Sequence, residues 1–176
     1  ETAAASEVIV RYSFSPDFIA AFPSFIRFVV VARGIDNSGQ HAEATALLNE
    51  AAWAARNSPA LADVAAHPRL APWRAAMRTF GANPDETLPS VQSLVERARR
   101  AALEPDEPLI PYRNTVVALS NYVSLKHLVP SGVDDLGMVH GDIGLRLARG
   151  NELFVGFASN RVERPAAGEV IFADKR

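Results

Sequence analysis

Cysteine is absent from this chain of 176 residues. Disulfides, thiolate zinc sites, iron–sulfur clusters and thiol nucleophiles are therefore excluded. Histidine is nearly as sparse. His41, His67, His127 and His140 stand apart without metal-ligand spacing, so neither a structural metal nor a cofactor is expected. Long apolar runs are missing too: Phe28 to Ala32 stops far short of the roughly 20 residues of a membrane helix, and no basic-then-apolar leader opens the sequence. The expectation is a cytoplasmic protein with no membrane partner. No charge of one sign dominates, and a formal net charge of -2 gives no global attraction for nucleic acid, so RNA contact would need local basic clusters. Phosphate loops, dinucleotide-binding glycine loops, His-Glu-x-x-His and nucleophile elbows are also absent.

What is present is a hydrophobic content of 48%, enough for one good core and hence a single domain over residues 1–176. Glu7 to Tyr12 and Ile26 to Arg33 read as strands, the second β-branched enough to be buried on both faces. An Ala-rich helix follows near His41 to Arg56, with Leu47, Leu48 and Ala51 as its apolar stripe. Ser58-Pro59 opens a short helix that Pro68 ends, and Pro72 opens the next. There Trp73, Met77 and Phe80 share a face that should be core, and Gly81 supplies a left-handed terminus. Pro89-Ser90 starts a helix with Val91, Leu94, Val95 and Ala98 inward.

The helical half, residues 1–103, is expected to join residues 113–176 through an exposed linker, 104–112, rich in proline and acid. Asn114 caps a helix from about Thr115 to Leu128 whose stripe is Val116, Leu119 and Val123, and Pro130 stops it. Asp142 to Arg149 alternates as a strand, Gly150-Asn151 reads as a hairpin turn into Glu152 to Ala158, and Glu169 to Ala173 is a last strand. So abrupt an end leads to the expectation of further C-terminal material. The resulting fold class is α+β: a mixed sheet of N- and C-terminal strands with packed helices.

Two basic clusters qualify as RNA contacts, Arg69, Arg74 and Arg78 around the Trp73 helix and Arg97, Arg99 and Arg100 on the next, although solvated helix faces have the same composition. A polar group lies further on. Ser120 and Asn121 interrupt an apolar helix, and Ser131, Asp134 and Asp135 occupy the turn after it, where turn preference also explains them.

The run from Trp73 to Arg100, the stretch 113–152 and Gly168 to Asp174 together resemble the tRNA-binding editing module, B3/B4, of the phenylalanyl-tRNA synthetase β subunit. The free-standing proteins built from that module are the nearest likeness. The marks are Trp-Arg followed by Phe-Gly-Ala-Asn-Pro, the Asn121-Tyr122-Val123 helix, Asp135-Leu136, Gly-Asp-Ile-x-Leu-Arg at 141–146 and Gly-Glu before the last strand. The resemblance implies recognition of the aminoacylated 3′ end of tRNA and hydrolysis of mischarged aminoacyl-tRNA in trans, an aminoacyl-tRNA deacylase. Ser120, Asn121, Ser131 and Asp134 would line the pocket, and Arg74, Arg78, Arg97 and Arg100 would contact tRNA phosphates. The chain departs from the synthetase pattern at Ala118 and Gly132, where an aspartate and a histidine stand, and no counterpart of the synthetase's pocket acid follows the hairpin. The catalytic residues, the amino acid and the oligomeric state stay open, and a non-catalytic module for RNA or a small amino-acid-like ligand is the alternative.

Overall fold

Alanine at 42, 44, 46, 51, 52, 54 and 55 makes the first long helix a strong helix former with a narrow buried face. In the computed structural model, which describes residues 10–102, 107–156 and 161–175, this helix, α2, spans Ala42–Asn57. His41 caps it, its Nδ1 accepting from the Ala44 N–H. The chain separates into two compact units, Val29–Val133 and a discontinuous unit of Glu1–Phe28 with Asp134–Arg176.

The first of these is all helical. A 3₁₀ turn, Pro59–Leu61, follows α2, then α3 (Ala71–Thr79), α4 (Ser90–Arg100) and α5 (Thr115–His127). Its core draws on Leu48, Ala52 and Ala55 of α2, Val91, Val95 and Ala98 of α4, and Ala118 and Leu125 of α5. Small residues at 52, 55, 98 and 118 let the three helices approach closely. Termini form as the sequence predicts: Asn114 Oδ1 accepts the Val117 N–H at 2.9 Å, and Gly81 takes a left-handed φ of 85°. The Gly81 and Ala82 N–H groups there return to Arg78 and Met77.

Four expectations are corrected in this unit. Of the Trp73, Met77 and Phe80 triplet, Trp73 packs on the core while all three stay partly exposed; the buried residue of α3 is Arg74. The α5 stripe is reversed, since Leu119 and Val123 are about 40% and 39% exposed whereas Ala118 and Leu125 are buried. An apolar helix offers more than one candidate face, and packing against α2 and α4 selects the one with the smallest residue at its centre. The helix ends at His127, within a residue of the expected end, where Leu128 adopts a left-handed φ of 54° and Ser124 Oγ donates to the Val129 carbonyl at 2.8 Å. The short helix expected from Ser58-Pro59 to Pro68 is instead a single 3₁₀ turn, Pro59–Leu61, and Ser58 makes no side-chain cap bond to it. Within the linker, residues 104–106 lie outside the described ones, but Leu109 and Ile110 are core residues.

The second unit carries β1 (Tyr12–Phe14), α1 (Pro16–Ala21), β2 (Ile143–Leu147), β3 (Phe154–Val155), β4 (Val162–Glu163) and β5 (Val170–Ala173). Its three-stranded sheet has the order β1-β2-β5, parallel between β1 and β2 and antiparallel between β2 and β5. N- and C-terminal strands thus share one mixed sheet, as expected of the α+β class. Phe14, Phe18, Phe22 and Phe25 cluster beside it, with Phe18 against Phe25 edge-on at 5.2 Å.

Here too local pattern misassigns pairing. Residues 7–9 of the first expected strand lie outside the described residues, and β1 begins at Tyr12. Ile26 to Arg33 forms no strand. Phe28 and Val30 are 90% and 91% exposed there, because β-branched composition suits a pleated surface but only a paired neighbour makes a strand. Gly150-Asn151 does turn the chain, but β3 pairs with β4, since both edges of β2 are occupied by β1 and β5. Residues 157–158 of that expected strand are outside the described residues.

Candidate functional site

On α4 the apolar residues point into the helical core, which leaves Ser90, Ser93 and Arg97, at i, i+3 and i+7, on another face. On α5, Asn121 and Ser124 are likewise three apart. Between them lies a cavity of about 230 Å³ lined by these five residues, Leu94 and Ser131. Ser131 arrives from the turn after α5, and its Oγ lies 2.8 Å from Ser120 Oγ, so the two hydroxyls share a hydrogen bond. The left-handed Leu128 and the Ser124 bond to Val129 reverse the chain so that Ser131 comes back toward the helix.

Three of the residues singled out for the pocket, Ser120, Asn121 and Ser131, thus come together, and Arg97 joins them. Asp134 belongs to the other unit. Its carboxylate accepts from Tyr12 Oη at 2.6 Å and stands 3.9 Å from Arg27, whose guanidinium lies over the rings of Tyr12 and Phe172. Burial of the phenol, followed by that hydrogen bond to Asp134, raises the Tyr12 pKa above its ordinary range. Asp134 is therefore engaged in its own unit and is not among the residues lining the cavity. Ser90, Ser93 and Ser124 enter the site without having stood out in the sequence; the available signal was their helical spacing with Arg97 and Asn121.

The four arginines expected to meet phosphate have different environments. Arg74 is 8% exposed and spends its donors internally, on the Pro84 carbonyl at 3.0 Å, on Gln92 Oε1 at 3.1 Å and on Asp85. That is a correction: its guanidinium holds the 83–85 turn against α4. Gln92 passes the chain on, its Nε2 donating to Glu96 Oε1 at 2.7 Å, and Glu96 pairs with Arg100 at 2.6 Å. Arg100 remains largely exposed. Arg78 lines a separate cavity of about 280 Å³ that also contains the Asp63 carboxylate. Arg97 is exposed at the rim of the serine-lined cavity.

Arg99, placed by sequence in the same basic cluster, is structural. Its Nη1 lies 2.9 to 3.2 Å from the carbonyls of Ala55, Arg56 and Ser58 at the end of α2, while Arg56 Nη1 reaches Ala98, Arg99 and Ala101 at the end of α4. Each arginine caps the other's helix. In the strand-bearing unit, Glu152 accepts from the Arg149 and Gly150 N–H groups and pairs with Arg146. The Arg149 backbone bond first, and Arg146 second, lower its carboxyl pKa to about 2.

Among the described residues lining the serine-rich cavity there is neither carboxylate nor imidazole. No group of three or more His, Cys, Asp or Glu able to hold a metal occurs among the described residues. Nor is any described helix long and apolar enough to cross a membrane. The cavity's chemistry is hydrogen bonding from hydroxyls and an amide beside one fixed positive charge.

This is an α+β fold with a polar cavity between α4 and α5. The chain matches the B3/4 domain family over residues 72–176, which includes α3, α4, α5 and the strands β2 to β5, and it belongs to that family. The phenylalanyl-tRNA synthetase β subunit contains a domain of the same family. No curated protein and no solved structure matches the chain.

Proposed function

We propose that this protein binds the aminoacylated 3′ end of tRNA in the cavity between α4 and α5. Ser120, Asn121 and Ser131 serve the aminoacyl group, and Arg78, Arg97 and Arg100 meet the RNA backbone. The observation that carries the reading is the convergence of Asn121, Ser131 and Arg97, from three segments, on one cavity, with Ser120 bonded to Ser131. Family membership supplies the RNA context. A site without carboxylate or imidazole favours binding over general-base hydrolysis. Deacylation in trans would depend on hydrogen-bond donors that polarise the ester carbonyl and hold water.

Filter binding of aminoacylated and deacylated tRNA across a salt series, run with a deacylation screen over mischarged tRNAs, tests the proposal. Expected are salt-sensitive tRNA binding, tighter for the aminoacylated form, and a preference that Ser120→Ala reduces. Turnover lowered by Ser120→Ala would add the hydrolase function. Absence of any salt-dependent tRNA affinity overturns the RNA reading.

A further inference from the structure

We infer that the cavity between α4 and α5 is a phosphoryl-binding site with Arg97 as its charged anchor, either for a backbone phosphate near the tRNA 3′ end or for a free phosphate group. This deepens the reading of the same site and rests on it for the larger ligand.

Charge comes first. Arg74 and Arg78 line another cavity, but there the Asp63 carboxylate shares the lining and would repel an anion, and Arg74 is committed to Pro84 and Gln92. Around Arg97 the lining is serine, asparagine and leucine with no acid. The neighbouring Glu96 is held by Gln92 Nε2 and Arg100 and does not serve Arg97. Arg56, Arg74 and Arg99 spend their donors on carbonyls and Gln92, whereas the Arg97 side chain has no protein partner among the described residues.

Donor geometry then selects the anion. The side chains of Ser90, Ser93 and Asn121 likewise find no protein partner among the described residues. Three uncommitted neutral donors and a guanidinium therefore flank one space, α4 supplying one wall and α5 the other. A carboxylate is planar, and a single guanidinium fork can satisfy both its oxygens. A phosphoryl group presents oxygens in tetrahedral directions and can use donors from both walls at once. At about 230 Å³ the space admits such a group with water. Both hydroxyls of the Ser120–Ser131 pair retain lone pairs, but neither brings negative charge.

Calorimetric titration of the full chain with inorganic phosphate in low-salt, phosphate-free buffer tests the inference, together with amide chemical shifts. Saturable binding is expected, with shifts at Ser93, Arg97 and Asn121. Arg97→Met should weaken it by about tenfold or more, the scale of one charge-assisted hydrogen bond, and leave the urea unfolding midpoint unchanged. Arg113→Met, which removes an exposed arginine outside the cavity, should leave phosphate affinity intact. The wild-type amide shifts decide the site even if Arg97→Met fails to fold. Competition with CCA-ended tRNA identifies the source: displacement of phosphate by tRNA supports a backbone phosphate. Phosphate binding that tRNA does not disturb supports a free-phosphate site, and tRNA reading of this cavity then fails while the phosphoryl site stands. Lack of saturable phosphate binding, or shifts confined elsewhere, overturns the phosphoryl site, and tRNA affinity that persists in that case leaves the RNA proposal intact.

Discussion

Replacing Arg99 with methionine removes a guanidinium from the end of α2 while preserving most of its aliphatic stem. One Nη1 approaches three carbonyls, but that nitrogen carries two hydrogens, so about two hydrogen bonds' worth of interaction is lost. Charge-assisted bonds are worth about 1.5–3 kcal/mol each when well formed. Arg99 is partly exposed, and water replaces some of the loss at the freed carbonyls. A further ~0.3–1 kcal/mol comes from the cation at a helix C-terminus. The expected net destabilisation is about 2–3 kcal/mol.

Tryptophan fluorescence provides a selective assay, because Trp53 and Trp73 both lie in the helical unit and its urea unfolding can be followed alone. Arg99→Lys should recover only part of the loss, since a point-charge ammonium lacks the planar fork. In a double-mutant cycle with Arg56→Met, coupling should be measurable because the two caps share the same pair of helix ends. A loss below about 0.5 kcal/mol, the range of ordinary surface substitutions, would refute reciprocal capping and return Arg99 to the exposed basic cluster.

Three further outcomes follow from the packing. Arg74→Met should cost about 2–4 kcal/mol in the same urea assay, because the Pro84 carbonyl and Gln92 Oε1 lose their donor in a buried setting while the exposed Asp85 simply rehydrates. The folded-state carboxyl of Glu152 is depressed from 4.5 to about 2, so its stabilising contribution is present above about pH 4.5 and is lost as pH falls toward 2. NMR titration of the Glu152 side chain should show the low midpoint, and Glu152→Gln should flatten the acid limb of the strand-bearing unit's stability; an unshifted midpoint would reject the loop geometry. Val30→Ser should change stability by less than about 0.5 kcal/mol, the surface range, whereas loss of a buried Val would cost several times more by urea denaturation.

Short-range physics made much of this molecule legible in the sequence. Asn114 as a cap and Gly81 as a left-handed terminus depend on contacts within a few residues, and the inward stripe of α4 and the alternation at 143–147 can be read from local pattern although distant segments complete them. The family motifs also stand in the sequence as an ordered series, and Ser120, Asn121 and Ser131 can be chosen from it. Solvent-facing polarity, by contrast, could not be told from buried polarity: Arg74, Arg97, Arg99 and Arg100 look alike in the sequence, yet one is a buried tie, one lines a cavity, one is a helix cap and one an exposed ion pair.

The amino-acid sequence by itself determined the ends of α2, α3 and α5 to within a residue or two, the α+β class and the family, because capping, periodicity and motif order are local; it missed α1 and overran the 3₁₀ turn at Pro59–Leu61. Tertiary structure alone decided the rest. It paired β2 with β1 and β5, left residues 26–33 without a strand and turned the Ala118 face of α5 inward. It also brought Ser90, Ser93 and Arg97 opposite Asn121 and Ser131. Strand pairing, choice of buried face and convergence of side chains are properties of segments distant in sequence, and no single segment carries the energy that selects among their arrangements.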